Sequence, residues 1–431
     1  MENRDSSFVI HIARSRIVQV RESIAEYKPG RGSSLIDYIS ALLSDLEQAV
    51  SDIEADITAT APSNRLIEEA QLRQLLRLLP IIAVLHRLVA KYSRDVGRSD
   101  LSVGLQYLVA EVVTDLLPDG ADPLLHLSSH NMYSTWALEP ALKKLSLAVA
   151  RAPRPVPKPH PVVFNLPGIN PEIILYSPIL VHEVGHTAAQ RSLMTSVISQ
   201  WPQAEIDNSF RENLAQLGTP LTQEIVDDWD DTFAGWVEET LCDALAVVLT
   251  GPSFLFSMCV FLPAPSMNEP GSHPQERDRV KHCLDLLDQL NWTPFVESRF
   301  PEVFAWVKEI STNVMPSKSP KESFLREGLK LALPAIDSVA QANVGAPLKA
   351  TSIDEIMIEA LDLLSEGIPV VEVNGEPITT WQATLCGWSL GWSVHGESVD
   401  ALSTAVHDAS LNRLILKTIE YARIKEMWVA S

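Results

Sequence analysis

Cysteine is scarce in this sequence. Cys242, Cys259, Cys283 and Cys386 are the only four in 431 residues, and no CxxC pair occurs among them. That excludes a disulfide-stapled scaffold, and it predicts free thiols packed as small hydrophobes in a reducing compartment. Basic residues are short as well: 34 Lys and Arg against 55 Asp and Glu leave a formal charge of −21. Such a field repels nucleic acid and anionic membranes, so neither is expected as a partner. The opening stretch "MENRDSSFVIHIARSR" has no long apolar run ending in a small-residue cleavage site. A cytoplasmic protein without a secretory signal is therefore expected. One uncharged run stands out, "ALAVVLTGPSFLFSMCVFL" from Ala244 to Leu262, and its 19 residues could span a bilayer. Gly251-Pro252 interrupts it in the manner of a helix stop, so two core helices are expected there and no membrane span.

What is present is ordinary globular composition, 46% hydrophobic and 21% charged, in a chain long enough for two or three domains. Residues 1–150 read as a helical region. In 33–57, Leu35, Ile36, Ile39, Leu42, Leu43, Leu46, Val50 and Ile53 recur at spacings of three and four, the mark of one buried helix face. A second helix is expected over 64–92, capped by Asn64 and kinked at Pro80, and a third from Ser99 to Pro118. Alternating prolines in "RAPRPVPKPHP" (151–161) hold the chain extended as a stiff spacer. "VVFNL" (162–166) then reads as a strand, followed by a turn, "PGINPE". A core region is expected over 151–283 and a mainly helical region over 284–431. In the latter, "VVEVNGEPIT" carries the Asn-Gly signal of a tight hairpin. Trp381, Trp388 and Trp392 read as core, and one last helix is expected from Ser398 to Met427. The expected fold class is mainly α with a small sheet.

The chemistry concentrates in "SPILVHEVGH" (177–186). The helix holding it is expected to start at Asn170-Pro171 or Ser177-Pro178, both cap-plus-proline signals. His182 and His186 are four residues apart, about 400° on a helix, so both imidazoles leave one face and can share a metal. Glu183 directly follows the first histidine, where it can take a proton from a water on that metal. A catalytic zinc needs a third protein ligand and an open position. Downstream, "DDTFAGWVEETLCDALAVVLTG" (230–251) reads as a helix capped near Asp231 or Thr232, with Glu239 and Asp243 one turn apart. Two carboxylates among Trp236, Val237, Leu241, Leu245 and Val248 are costly to bury unless a cation meets them. Glu239 is read as the third ligand, and Asp243 as the acceptor for the distal N–H of a ligating histidine. Glu238 has no acid four residues on and is read as neither.

The third element is "GSHPQERDRV" (271–280), with Arg279 six residues after His273. HExxH, then ExxxD, then HP with a following arginine resembles the gluzincin branch of zinc metallopeptidases. The likeness is to the prenyl-protein and heat-shock membrane-protease type, over residues 177–280. The resemblance implies a zincin-like core with Zn2+ held by His182, His186 and Glu239, and Asp243 behind them. It implies that His273 stabilises the oxyanion and that Arg279 supports it or orients substrate. The sequence departs from those relatives in lacking clear transmembrane segments and in its long helical flanks.

The expectation is thus a zinc-dependent endopeptidase acting on a protein or peptide substrate, with Glu183 as general base. "VVFNL" is expected to be the edge strand on which an extended peptide pairs. The competing readings are a zincin-derived binding or regulatory protein, and a metal hydrolase acting on a non-peptide amide.

Overall fold

The computed structural model describes residues 3–25, 33–59, 65–95, 102–117, 119–128, 134–149, 154–167, 172–216, 222–261, 273–312 and 320–430. Asn64, Ser99, Pro118 and residues 168–171 of the expected turn lie outside them. The described chain is mainly α-helical with two small sheets. It divides into two compact units that do not follow the three segments read from the sequence. One comprises Met1–Asp100 and Asp119–Ile169; the other comprises Leu101–Pro118 and Asn170–Ser431.

The first unit packs the helices Asn3–Ala25, Ser33–Ala59 and Arg65–Asp95 against one another. All eight apolar positions noted in 33–57 are buried, because a three-to-four spacing keeps them on one face. The helix from Arg65 runs through Pro80. Arg154, in the extended segment, forms a two-pronged ion pair with Asp45 at 2.5 and 2.7 Å. Strands β1 (Ala121–Ser128), β2 (Ser134–Ala137) and β3 (His160–Pro167) form a sheet ordered β1-β3-β2. β1 runs parallel to β3, with Leu124 opposite Val163, and β2 runs antiparallel to it, with Thr135 opposite Phe164. This corrects two expectations. Residues 1–150 are not wholly helical, since β1 and β2 lie there. And "VVFNL" is the middle of the sheet, hydrogen-bonded on both sides, so it offers no free edge to a peptide.

The second unit is almost entirely helical and carries the HExxH and ExxxD motifs. A short turn, Ile174–Tyr176, leads into the HExxH helix, Ser177–Ala188, with Pro178 in its first turn. Of the two expected starts, the Ser177-Pro178 signal is the one that coincides with the helix. Ser257 donates to the Leu175 carbonyl at 2.7 Å, and Asn412 accepts from the Leu175 amide at 3.3 Å. The turn that launches the helix is therefore pinned by side chains far along the chain. The helix bearing Glu239 spans Gln223–Thr250 and is capped by Thr222, whose hydroxyl accepts from the Ile225 amide. It starts two turns earlier than expected. Gly251, at φ 59°, ends it, and Pro252–Phe261 forms a separate helix. This is the break expected from Gly251-Pro252, and among the described residues no helix is long and apolar enough to cross a membrane.

Beyond these lie the helices Glu276–Gln289, Thr293–Arg299, Pro301–Thr312, Pro320–Asn343, Ile353–Ser365 and Thr380–His395. Asn374 and Gly375, at φ 53° and 83°, turn the expected hairpin between Glu372–Val373 and Glu376–Pro377. Trp381, Trp388 and Trp392 are buried, as a core reading requires. The expected last helix is two, Val399–His407 and Ala409–Ala430. Asp408 separates them by accepting from the amides of Ser410 and Leu411, at 2.9 and 3.0 Å. All four cysteines are free, three of them buried.

Candidate metal centre

The HExxH helix packs directly against the helix Gln223–Thr250. Gly185 makes the approach close: a Cβ there would sit 3.1 Å from Cα of Cys242. Shape at this crossing brings the two motifs together. Phe254, from the next helix, stacks on the His182 ring at 6.1 Å between centroids and 9° between planes.

Both histidines turn the same nitrogen to the same carboxylate. Nε2 of His182 is 3.5 Å from Glu239 Oε2, and Nε2 of His186 is 3.4 Å from Glu239 Oε1. Among the described residues, His182, His186 and Glu239 are the one group of three whose ligand atoms all lie within 4.8 Å of one another. Tetrahedral donors about 2.0–2.1 Å from a zinc ion would be spaced about 3.3–3.4 Å apart, so the His–Glu separations fit such an ion.

The opposite nitrogens are also accounted for. Nδ1 of His182 lies 2.9 Å from Asp243 Oδ1, and Nδ1 of His186 lies 2.9 Å from Glu238 Oε1. A carboxylate behind each imidazole favours the neutral tautomer with its proton on Nδ1, in which Nε2 is the electron-pair donor. Glu238, which the sequence reading passed over, is thus the counterpart of Asp243. Its signal was present only as an acid adjacent to the ligand, since its partner is 52 residues away.

Asp243 is completely buried and does a second job. It receives both Nε and Nη2 of Arg279, at 2.7 and 2.8 Å, and Arg279 Nη1 is 3.7 Å from Glu239 Oε2. Arg279 therefore sits behind the donor set, holding its carboxylates. His273 lies at the open side: its side chain is 60% exposed, yet Nε2 is 3.6 Å from Glu239 Oε1. All seven residues singled out in the sequence fall into one cluster; Glu183 interacts electrostatically with His182, His186, Glu239 and Arg279.

The cluster gathers ionisable side chains that are largely buried. Burial pushes the Glu183 carboxyl up, against the pull of His182 and His186. Burial also opposes charge on His182, but Asp243 and Glu239 outweigh it and raise its pKa to about 9. Asp243 is buried too, and Arg279 and His182 hold it well below the carboxylate range. Glu239 is lowered in the same way, burial being outweighed by His182, Arg279 and His186. Glu183, Glu239 and Asp243 thus all interact with one guanidinium, that of Arg279. The donor chemistry suits a divalent ion of the borderline kind that accepts two imidazoles and a carboxylate.

No family model, curated protein or solved structure matches this chain.

Proposed function

We propose that the protein is a zinc-dependent metallopeptidase with a zincin-like centre of the gluzincin type. The single observation that carries this reading is the paired orientation of the histidines: Nε2 of each toward Glu239, Nδ1 of each toward its own carboxylate. A bland pair of core histidines has no reason to share that orientation. In this reading His182, His186 and Glu239 hold Zn2+, which when bound supplies the Lewis acidity that acidifies water and polarises a carbonyl.

The remaining work belongs to the chain. Glu183 accepts a proton from the attacking water and passes it to the departing amine, and its burial suits it to hold that proton between the two steps. Asp243 and Glu238 fix the imidazole tautomers. Arg279 keeps Asp243 ionised and in place. His273, exposed beside Glu239, is the group that can donate to the oxyanion as charge develops.

The test is elemental analysis of the purified chain, with hydrolysis of unfolded casein by wild type and by Glu183→Gln. About one zinc per chain is expected in both proteins. Turnover in the variant should fall by at least ~10², the usual scale for loss of a general base. Bound zinc with equal cleavage by both proteins overturns the role of Glu183. Bound zinc with no cleavage by either favours the reading as a metal-binding regulatory protein.

A further inference from the structure

His273, its side chain 60% exposed, stands 3.6 Å from the Glu239 carboxylate. The backbone that carries it is itself held a short way along the chain. Two residues on, Gln275 begins the helix Glu276–Gln289: its carbonyl accepts from the amides of Asp278 and Arg279, at 2.9 and 3.1 Å. Its side chain makes no cap. Instead, the side-chain amide is held at both ends by the helix Pro320–Asn343. Its Nε2 donates to Glu322 Oε1, and its Oε1 accepts from Nη2 of Arg326 at 2.7 Å. Arg326 also meets Glu322 and Asp278, each at 2.8 Å. Glu322 is completely buried. An amide gripped at both donor and acceptor ends cannot turn or slide, and a buried charged network of this kind fixes one geometry.

We propose that Gln275, gripped by Arg326 and Glu322, is a positioning residue that holds His273 over the His182–His186–Glu239 donor set. Pro274, between the two, has its φ fixed by the ring, so restraint at Gln275 is passed back to the histidine. The inference rests on the metallopeptidase reading for its effect on rate, but the clamp itself does not.

The test uses Gln275→Leu, which removes both amide bonds at similar volume. Arg326 and Glu322 keep each other as partners, so the fold is preserved. With casein as substrate, kcat should fall about tenfold, a modest share of what misplacing a catalytic group can cost. KM and zinc content should stay as in wild type. The decisive comparison is the cycle with His273→Ala: once the histidine is gone, Gln275→Leu should cost nothing further. An equal loss in both backgrounds, or loss of zinc, overturns the proposal, because the residue would then act on the fold or the ligands. Hydrogen exchange of the metal-free protein gives a readout independent of turnover. The Asp278 and Arg279 amides should exchange faster in the variant, and unchanged exchange also overturns the clamp. If wild type binds no zinc and cleaves no casein, the metallopeptidase reading fails, and the exchange result alone decides whether the clamp holds.

Discussion

Glu238 Oε1 lies 2.9 Å from Nδ1 of His186, on the side of the ring facing away from Glu239. The adjacent glutamates therefore divide the labour, one toward the donor set and one behind it. Glu239→Ala should abolish most zinc binding, because it removes a donor. Glu238→Ala should weaken zinc binding by about 10–100-fold, the usual cost of losing a carboxylate behind a ligating histidine. Competition titration with a chelator separates the two. Equal loss in both variants would contradict the division.

His273→Ala should lower kcat by about 10², with KM and zinc content nearly unchanged, because its contact with substrate strengthens only as the oxyanion forms. Steady-state kinetics on casein with parallel zinc analysis checks this. Release of zinc would make His273 a ligand and reopen the place of Glu239.

Gly185 lies where the HExxH helix meets Cys242, and an added Cβ would come within 3.1–3.2 Å of three Cys242 atoms, one of them the backbone Cα. Gly185→Ala must therefore push the two ligand-bearing helices apart by a few tenths of an ångström. The expected outcome is weaker zinc binding and a lower melting temperature. Calorimetry with and without zinc would show it; a variant matching wild type on both counts would mean the helices separate at no cost.

Asp115 titrates among groups outside the histidine–glutamate cluster, Glu111 and Arg423. Burial, and then the neighbouring Glu111 charge, push its pKa up to about 6 from 3.8, against the pull of Arg423. An acid raised in the folded chain binds its proton more readily there than when unfolded. Its stabilising contribution is thus fully present below pH 3.8 and lost as pH rises through about 6. Asp115→Asn should flatten that part of the stability–pH curve and be more stable than wild type at pH 7. Urea midpoints at several pH values test the difference curve. An identical pH dependence in the two proteins would refute it.

Much of the site could be read in the sequence because its chemistry obeys helical spacing. His182 and His186 at four, and Glu239 and Asp243 at four, are each set by one helix alone. The same is true of the Asn374-Gly375 hairpin and of the Gly251-Pro252 break. What escaped was set between elements. Glu238 gains its meaning only from the crossing at Gly185. The start at Thr222 was hidden because Asp231 and Thr232 look like caps, although they stand inside a helix already under way. β1 is broken by Pro123 and β2 has only four residues, so neither shows a clear period, and their pairing with β3 is what makes them strands. Asp408 broke an otherwise continuous apolar pattern through two backbone bonds that periodicity does not record.

The helix Val103–Leu116 belongs to the second unit, although residues 119–169 belong to the first. It rests on the HExxH helix and on the helix Ala409–Ala430, so tightly that a Cβ on Gly104 would sit 2.5 Å from the Leu416 carbonyl oxygen. During synthesis this helix leaves the ribosome some three hundred residues before its partner. Leu105, Leu108, Val109, Val112 and Val113, buried in the folded unit, must wait that long for their full cover. The second unit therefore completes its packing only after residues 409–430 have emerged. A prematurely terminated chain is left with exposed apolar surface and an incompletely supported centre, which makes it a target for chaperones or degradation.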